Sequence, residues 1–194
     1  MKLHRTSRAV LVACVCVLTS SRLQAQTIDF ESVASSGCTS GSAFSTQGFN
    51  FSGNSQVCQA AAYGFATQSG TQAWNSYFAV PTMSMTNASA TAFTLNSFWT
   101  HSYPGGNAIS GSVAGYASNS LIFSQSISLS GTWQLYTVNW SGVDRVDFSG
   151  DNSTLVVIDD ITTNAVSAPE PASLALVGTG LIGMFGVARR KKSA

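Results

Sequence analysis

Between Gln26 and Ala168 the chain never sustains a helical period; instead, short runs of alternating or β-branched and aromatic residues recur between turn-forming residues. The runs are Thr27 to Glu31, Gly48 to Ser52, Gln56 to Ala62, Tyr77 to Val80, Ala92 to Trp99, Ala108 to Tyr116, Leu121 to Ser128, Trp133 to Trp140, Val143 to Phe148 and Leu155 to Ile161. Punctuation such as Tyr103-Pro104-Gly105-Gly106-Asn107 and Ser149-Gly150-Asp151-Asn152 separates them. Many short strands at this spacing predict an all-β fold, a β-sandwich of jelly-roll type.

One run shows why two packed sheets are expected. In Trp133 to Trp140 one face carries Trp133, Leu135, Thr137 and Asn139, and the other carries Gln134, Tyr136, Val138 and Trp140. Both faces hold aromatic or aliphatic groups, and which of them is the core face stays open.

Charge is segregated to the ends. Lys2, Arg5, Arg8 and Arg22 lie at the start and Arg189, Arg190, Lys191 and Lys192 at the finish, so Arg145 is the only cation of the body. Against it stand Asp29, Glu31, Asp144, Asp147, Asp151, Asp159 and Asp160, a body charge of −6. Such a surface repels phosphate backbones, which argues against nucleic acid as a partner.

The first 25 residues follow a leader plan: a basic start, an apolar run from Ala9 to Leu18, and a polar stretch ending in Leu23-Gln24-Ala25. An apolar run of about ten residues is too short for a bilayer core that takes about 20, so cleavage after Ala25 is expected. Leu11-Val12-Ala13-Cys14 is a loose lipoprotein-box alternative with too little apolar sequence before it. Cys14 and Cys16 leave with the leader. The remaining Cys38 and Cys58 form an even pair in an oxidising compartment, hence a disulfide.

At the other end, Pro169-Glu170-Pro171 is followed by an apolar, Gly-rich stretch from Ala172 to Ala188 and then by Arg189-Arg190-Lys191-Lys192. The prolines end any preceding strand. The apolar stretch is long enough to span a bilayer as a helix, with the basic cluster held in the cytoplasm. In order, spacing and position this tail resembles the PEP-CTERM sorting signal. The resemblance implies processing by an exosortase near Pro169-Glu170-Pro171 after transient anchoring in the inner membrane of a Gram-negative bacterium. The product then goes to the outer envelope, cell surface or extracellular matrix. An ordinary C-terminal membrane anchor is the plainer alternative. The expected organisation is therefore a leader over 1–25, a sandwich over 26–166 and a sorting signal over 167–194.

From Ala92 onward the body also resembles the jelly-roll domains of PEP-CTERM proteins and, more distantly, carbohydrate-binding modules. The residues that carry this are Phe93 to Trp99, Val113-Ala114-Gly115-Tyr116, Trp133 to Trp140 and Ile158-Asp159-Asp160-Ile161. It implies extracellular polysaccharide as a partner. The aromatic residues near His101, namely Trp99, Tyr103 and Tyr116, are the candidates to stack on a sugar ring, with core or interface packing as the competing role.

Two carboxylate pairs stand near the ends of the body: Asp29 with Glu31, and Asp159 with Asp160. If the terminal strands lie side by side, the four converge, and a structural Ca²⁺ is the cofactor that hard oxygen ligands suit; solvated edge residues are the alternative. For catalysis the body offers one histidine, one arginine, no lysine and no Gly-x-Ser-x-Gly element. Paired carboxylates leave glycoside hydrolysis open, but the expectation is a non-catalytic matrix or envelope protein, with a purely structural or adhesive role as the alternative.

Overall fold

The computed structural model describes residues 23–33, 37–39, 43–76, 82–103, 109–150 and 155–166. They form two antiparallel six-stranded sheets packed face to face, the all-β sandwich that the alternation predicts. The strands are β1 (Leu23–Ile28), β2 (Phe44–Thr46), β3 (Phe49–Gly53), β4 (Ser55–Gln59), β5 (Gln72–Ser76) and β6 (Thr82–Asn87). They continue with β7 (Phe93–Tyr103), β8 (Ile109–Ala117), β9 (Ser120–Leu129), β10 (Gln134–Val143), β11 (Arg145–Ser149) and β12 (Leu155–Val166). One sheet runs β10-β7-β12-β5-β4, with β1 also paired to β12; the other runs β2-β3-β6-β11-β8-β9.

Alternation explains most of the second sheet. In β6, Met83 and Met85 are buried while Ser84 and Thr86 are only partly so, and in β11 Val146 and Phe148 point the same way as Val113 of β8. The core between the sheets is aromatic. Trp74 meets Phe51 at 4.9 Å and Phe148 at 5.8 Å, and Phe98 meets Phe148 at 5.0 Å, all edge-to-face. In β10 the even residues face this core: Trp140 is buried and stacks on Phe123, and Tyr136 stacks on Phe98. The odd residues up to Ser141 face out, with Leu135 50% exposed, and after a register shift Val143 turns into the core. That settles which face of the tryptophan-bounded run is which.

Several element boundaries differ from the sequence reading. The first strand spans Leu23–Ile28, not Thr27 to Glu31, so β1 contains the last three residues of the expected leader; Glu31 to Val33 form a turn. The Gln56 to Ala62 run breaks at Gln59, where α1 (Ala60–Tyr63) begins and ends on Gly64 in the left-handed region at φ 74. A string of alanines followed by glycine is better suited to a helical turn with a C-cap than to a strand. β7 continues past Trp99 to Tyr103, and β12 past Ile161 to Val166. The Tyr77 to Val80 run lies outside the described residues.

The terminal strands do lie side by side. β1 and β12 pair antiparallel with Leu23 opposite Val166 and Ile28 opposite Ile161. The residues expected in the sorting tail, from Pro169 to Lys192, lie outside the described residues. Among the described residues no helix is long and apolar enough to cross a membrane.

Candidate functional site

The outer face of the β1-containing sheet carries a second, smaller apolar cluster. Cys58, Phe65, Ala73 and Val157 are buried in it, with Cys38, Ala60, Tyr103 and Trp133 packed against them. What buries it is a flap, residues 60–71, which joins β4 to β5 and folds back over the sheet. The Cys38–Cys58 disulfide is present and ties the preceding segment to β4. Closing a loop of about 20 residues restricts the unfolded chain by about 3 kcal/mol on the loop-entropy model.

Carboxylates hold the flap down. Glu31 accepts from the backbone N–H groups of Thr71 and Gln72, both at 2.8 Å, and from the Thr71 hydroxyl at 3.0 Å. Asp159 Oδ2 accepts from the N–H groups of Gln68 at 3.0 Å and Ser69 at 3.2 Å, and its Oδ1 from that of Asp160 at 2.9 Å. Asp160 accepts the Ser69 hydroxyl at 2.7 Å. Asp160 sits at φ 46, within a register shift of β12 between Asp159 and Thr162. Such an irregularity lets adjacent acids reach one loop, and Asp tolerates the left-handed conformation better than most residues.

Asp159 is fully buried, and desolvation raises its pKa from 3.8 to about 7; the neighbouring Asp160 charge pushes the same way, while the three N–H donors oppose it. Of the four carboxylates expected as calcium ligands, Glu31 reaches the flap from the turn after β1, and Asp159 and Asp160 reach it from β12. Asp29, however, accepts the N–H of Glu31, and Glu31 and Asp159 are occupied by flap N–H groups. Among the described residues no group of three or more His, Cys, Asp or Glu is arranged to hold a metal ion. A cation held by these carboxylates would have to displace those N–H donors.

Beside the flap runs an aromatic strip. Trp99, His101 and Tyr103 occupy alternate positions of β7 and so share one face. Trp99 is paired in register with Leu135 of β10 on one side and Asp159 of β12 on the other. His101 lies 5.2 Å from Trp133 between ring centroids, and its Nε2 donates to the Gly131 carbonyl at 3.0 Å, while Nδ1 has no hydrogen-bond partner among the described residues. Burial lowers the His101 pKa against the opposing pull of Gly131, keeping the ring neutral. Trp133 Nε1 donates to the Ala66 carbonyl at 2.9 Å, fastening the strip to the flap.

The three stacking candidates therefore part company. Trp99 is half-buried beside the exposed Leu135 and available along one edge. Tyr103 packs on Phe65 at 5.7 Å, under the flap. Tyr116 lies on the outer face of the opposite sheet, beneath the Arg145 guanidinium at 4.0 Å. There Arg145 Nε is 3.3 Å from Asp147, which also accepts the Ser84 hydroxyl at 2.8 Å. Sequence reasoning overlooked Leu135 and Trp133 as members of the strip. The two-residue spacing of Trp99, His101 and Tyr103 was the available signal, obscured by treating that stretch as a loop.

The family model of the PEP-CTERM protein-sorting motif matches residues 167–191. No curated protein matches the chain. Among solved structures, the TmCBM61 module in complex with β-1,4-galactotriose is 17% identical at a TM-score of 0.41, over 70% of this chain and 92% of its own. The CBM22-1 xylan-binding domain of Paenibacillus barcinonensis Xyn10C is 14% identical at 0.41, over 70% and 100%. The family 11 carbohydrate-binding module of Clostridium thermocellum, with a β-1,3-1,4-mixed-linked tetrasaccharide, is 14% identical at 0.38, over 75% and 98%.

Proposed function

We propose that this chain, whose residues 167–191 are a PEP-CTERM sorting motif that marks an exported protein for the cell envelope, is a non-catalytic polysaccharide-binding component of the envelope or exopolysaccharide matrix. An exosortase processes it at Pro169-Glu170-Pro171. The observation that supports binding is the edge of the aromatic strip, where half-buried Trp99 adjoins Leu135, 50% exposed, next to a flap carrying Gln68 and Ser69, the latter bonded to Asp160 of β12. Sugar rings present C–H faces to an indole or aliphatic surface and hydroxyls to neighbouring amides and carboxylates.

One observation favours a second reading. A carboxyl raised to about 7, as Asp159 is, matches what a glycosidase asks of its general acid. Against it, Asp159 is fully buried with both oxygens engaged by backbone N–H groups, which leaves no path to a glycosidic oxygen. Glycan turnover abolished by Asp159→Asn in a protein that still folds would support the enzyme.

The test is a glycan array with the processed protein, followed by affinity electrophoresis against the producing strain's exopolysaccharide. Trp99→Ala is expected to weaken binding about tenfold, the worth of one aromatic stacking contact of about 1.4 kcal/mol. Tyr116→Ala, on the other sheet, is expected to bind as wild type. A blank array refutes polysaccharide binding and leaves the structural or adhesive role; equal binding by Trp99→Ala refutes the site.

A further inference from the structure

We propose that, while the sorting tail is attached, the domain stands on the membrane by the pole where the described chain begins and ends, with Leu121 and Ile122 in the lipid headgroup zone. The inference deepens the reading above and rests on its membrane-threaded tail.

The pole is defined by strand registers. Leu23 of β1 is opposite Val166 of β12, so the described chain begins and ends side by side. Ala165 pairs with Phe93 at the start of β7, and Phe93 with Val143 at the end of β10. In the other sheet the start of β11, Arg145, pairs with Tyr116, and Ala117 pairs with Ser120 across the β8–β9 turn. The opposite pole holds the β9–β10 turn around Gly131.

Tether lengths orient the body. Ala172, where the apolar tail begins, is six residues beyond Val166, a reach of about 20 Å at full extension. β12, with 12 residues, is about 40 Å long at a strand's rise per residue. A tether shorter than the body is long holds its own pole against the bilayer and leaves the Gly131 pole away from it.

The pole's surface suits that position. Of the exposed large hydrophobic residues, Leu121 at 57% and Ile122 at 43% sit here, just after the Ser118–Asn119 turn. Its turns carry few charges: Asp144 accepts the Ser118 N–H, and Arg145 lies between Tyr116 and Asp147. The latch acids Glu31, Asp159 and Asp160 sit farther up the body, so no acidic cluster opposes the headgroups.

The test uses the tail-bearing protein from cells lacking the sorting protease, reconstituted in nanodiscs of phosphatidylethanolamine and phosphatidylglycerol. An environment-sensitive fluorophore is placed at Leu121→Cys, at Ser118→Cys (which keeps both apolar side chains) or at Gly131→Cys. Leu121 and Ser118 probes are expected to shift to the blue and to be quenched at least threefold more than the Gly131 probe by a headgroup-proximal spin label. Equal quenching at both poles in an embedded protein overturns the orientation alone. A chain that carbonate strips from the nanodisc overturns both the orientation and the membrane-threaded tail.

Discussion

Stability should fall as pH rises, because Asp159 holds a proton in the folded protein that the unfolded chain has already lost. Its carboxyl titrates at about 7 when folded against 3.8 as a free group. A raised folded value means the stabilising contribution is complete below the unfolded value and is lost as pH climbs through the folded one. Between them the slope is about 1.4 kcal/mol per pH unit, and from pH 5 to pH 8 the loss is about 2.5 kcal/mol. For a body of about 140 residues that lowers Tm by roughly 5–10 °C. His101, lowered by burial, works the other way below its ordinary 6.5, so the informative quantity is the difference between wild type and Asp159→Asn. Calorimetry at pH 5, 6, 7 and 8 should show wild type losing stability relative to the variant across the series. A constant difference at all four values would refute the desolvated, proton-holding Asp159.

The flap makes the remaining predictions. Glu31→Gln should cost about 1–3 kcal/mol by stranding the Thr71 and Gln72 N–H groups. Gly70→Ala should do likewise, since Gly70 has φ 54 and an added Cβ would meet the Glu31 carboxyl; denaturant midpoints decide both. Reducing Cys38–Cys58 should lower stability by about 3 kcal/mol and speed proteolytic nicking within residues 60–71, as read by peptide mapping. Because the latch carboxylates are occupied by N–H donors, Ca²⁺ or a chelator should leave Tm unchanged; a rise with Ca²⁺ would show that the flap opens to admit the ion.

How far the residues announce this architecture depends on what kind of signal each carries. β6 and β10 alternate because one face is buried and the other is not, yet both faces of β10 carry aromatic or aliphatic groups, so only its packing shows that Tyr136 and Trp140 point inward, and β6, with Met83 and Met85 inward, lies outside the runs read from the sequence. β5 has no such pattern: Gln72 to Ser76 are all buried, since the flap covers what would otherwise be its outer face. A short strand enclosed on both sides looks like a polar loop when its buried groups are Gln, Asn and Ser. The convergence of Glu31 and Asp159 was foreseeable from their places at opposite ends of the body. Their partners, backbone N–H groups of the flap, carry no side-chain signature and could not be read. Tyr116 was grouped with Trp99 because both are aromatic, although sheet membership, which separates them, is a property of long-range pairing.

The account stands or falls most directly on the intact mass of the protein recovered from the envelope and extracellular fractions. It predicts a species that has lost both the leader and the basic tail, ending near Pro169-Glu170-Pro171, and that accumulates with its tail in cells lacking the exosortase. A species in those fractions that still carries Arg189 to Lys192 when the exosortase is present would contradict it.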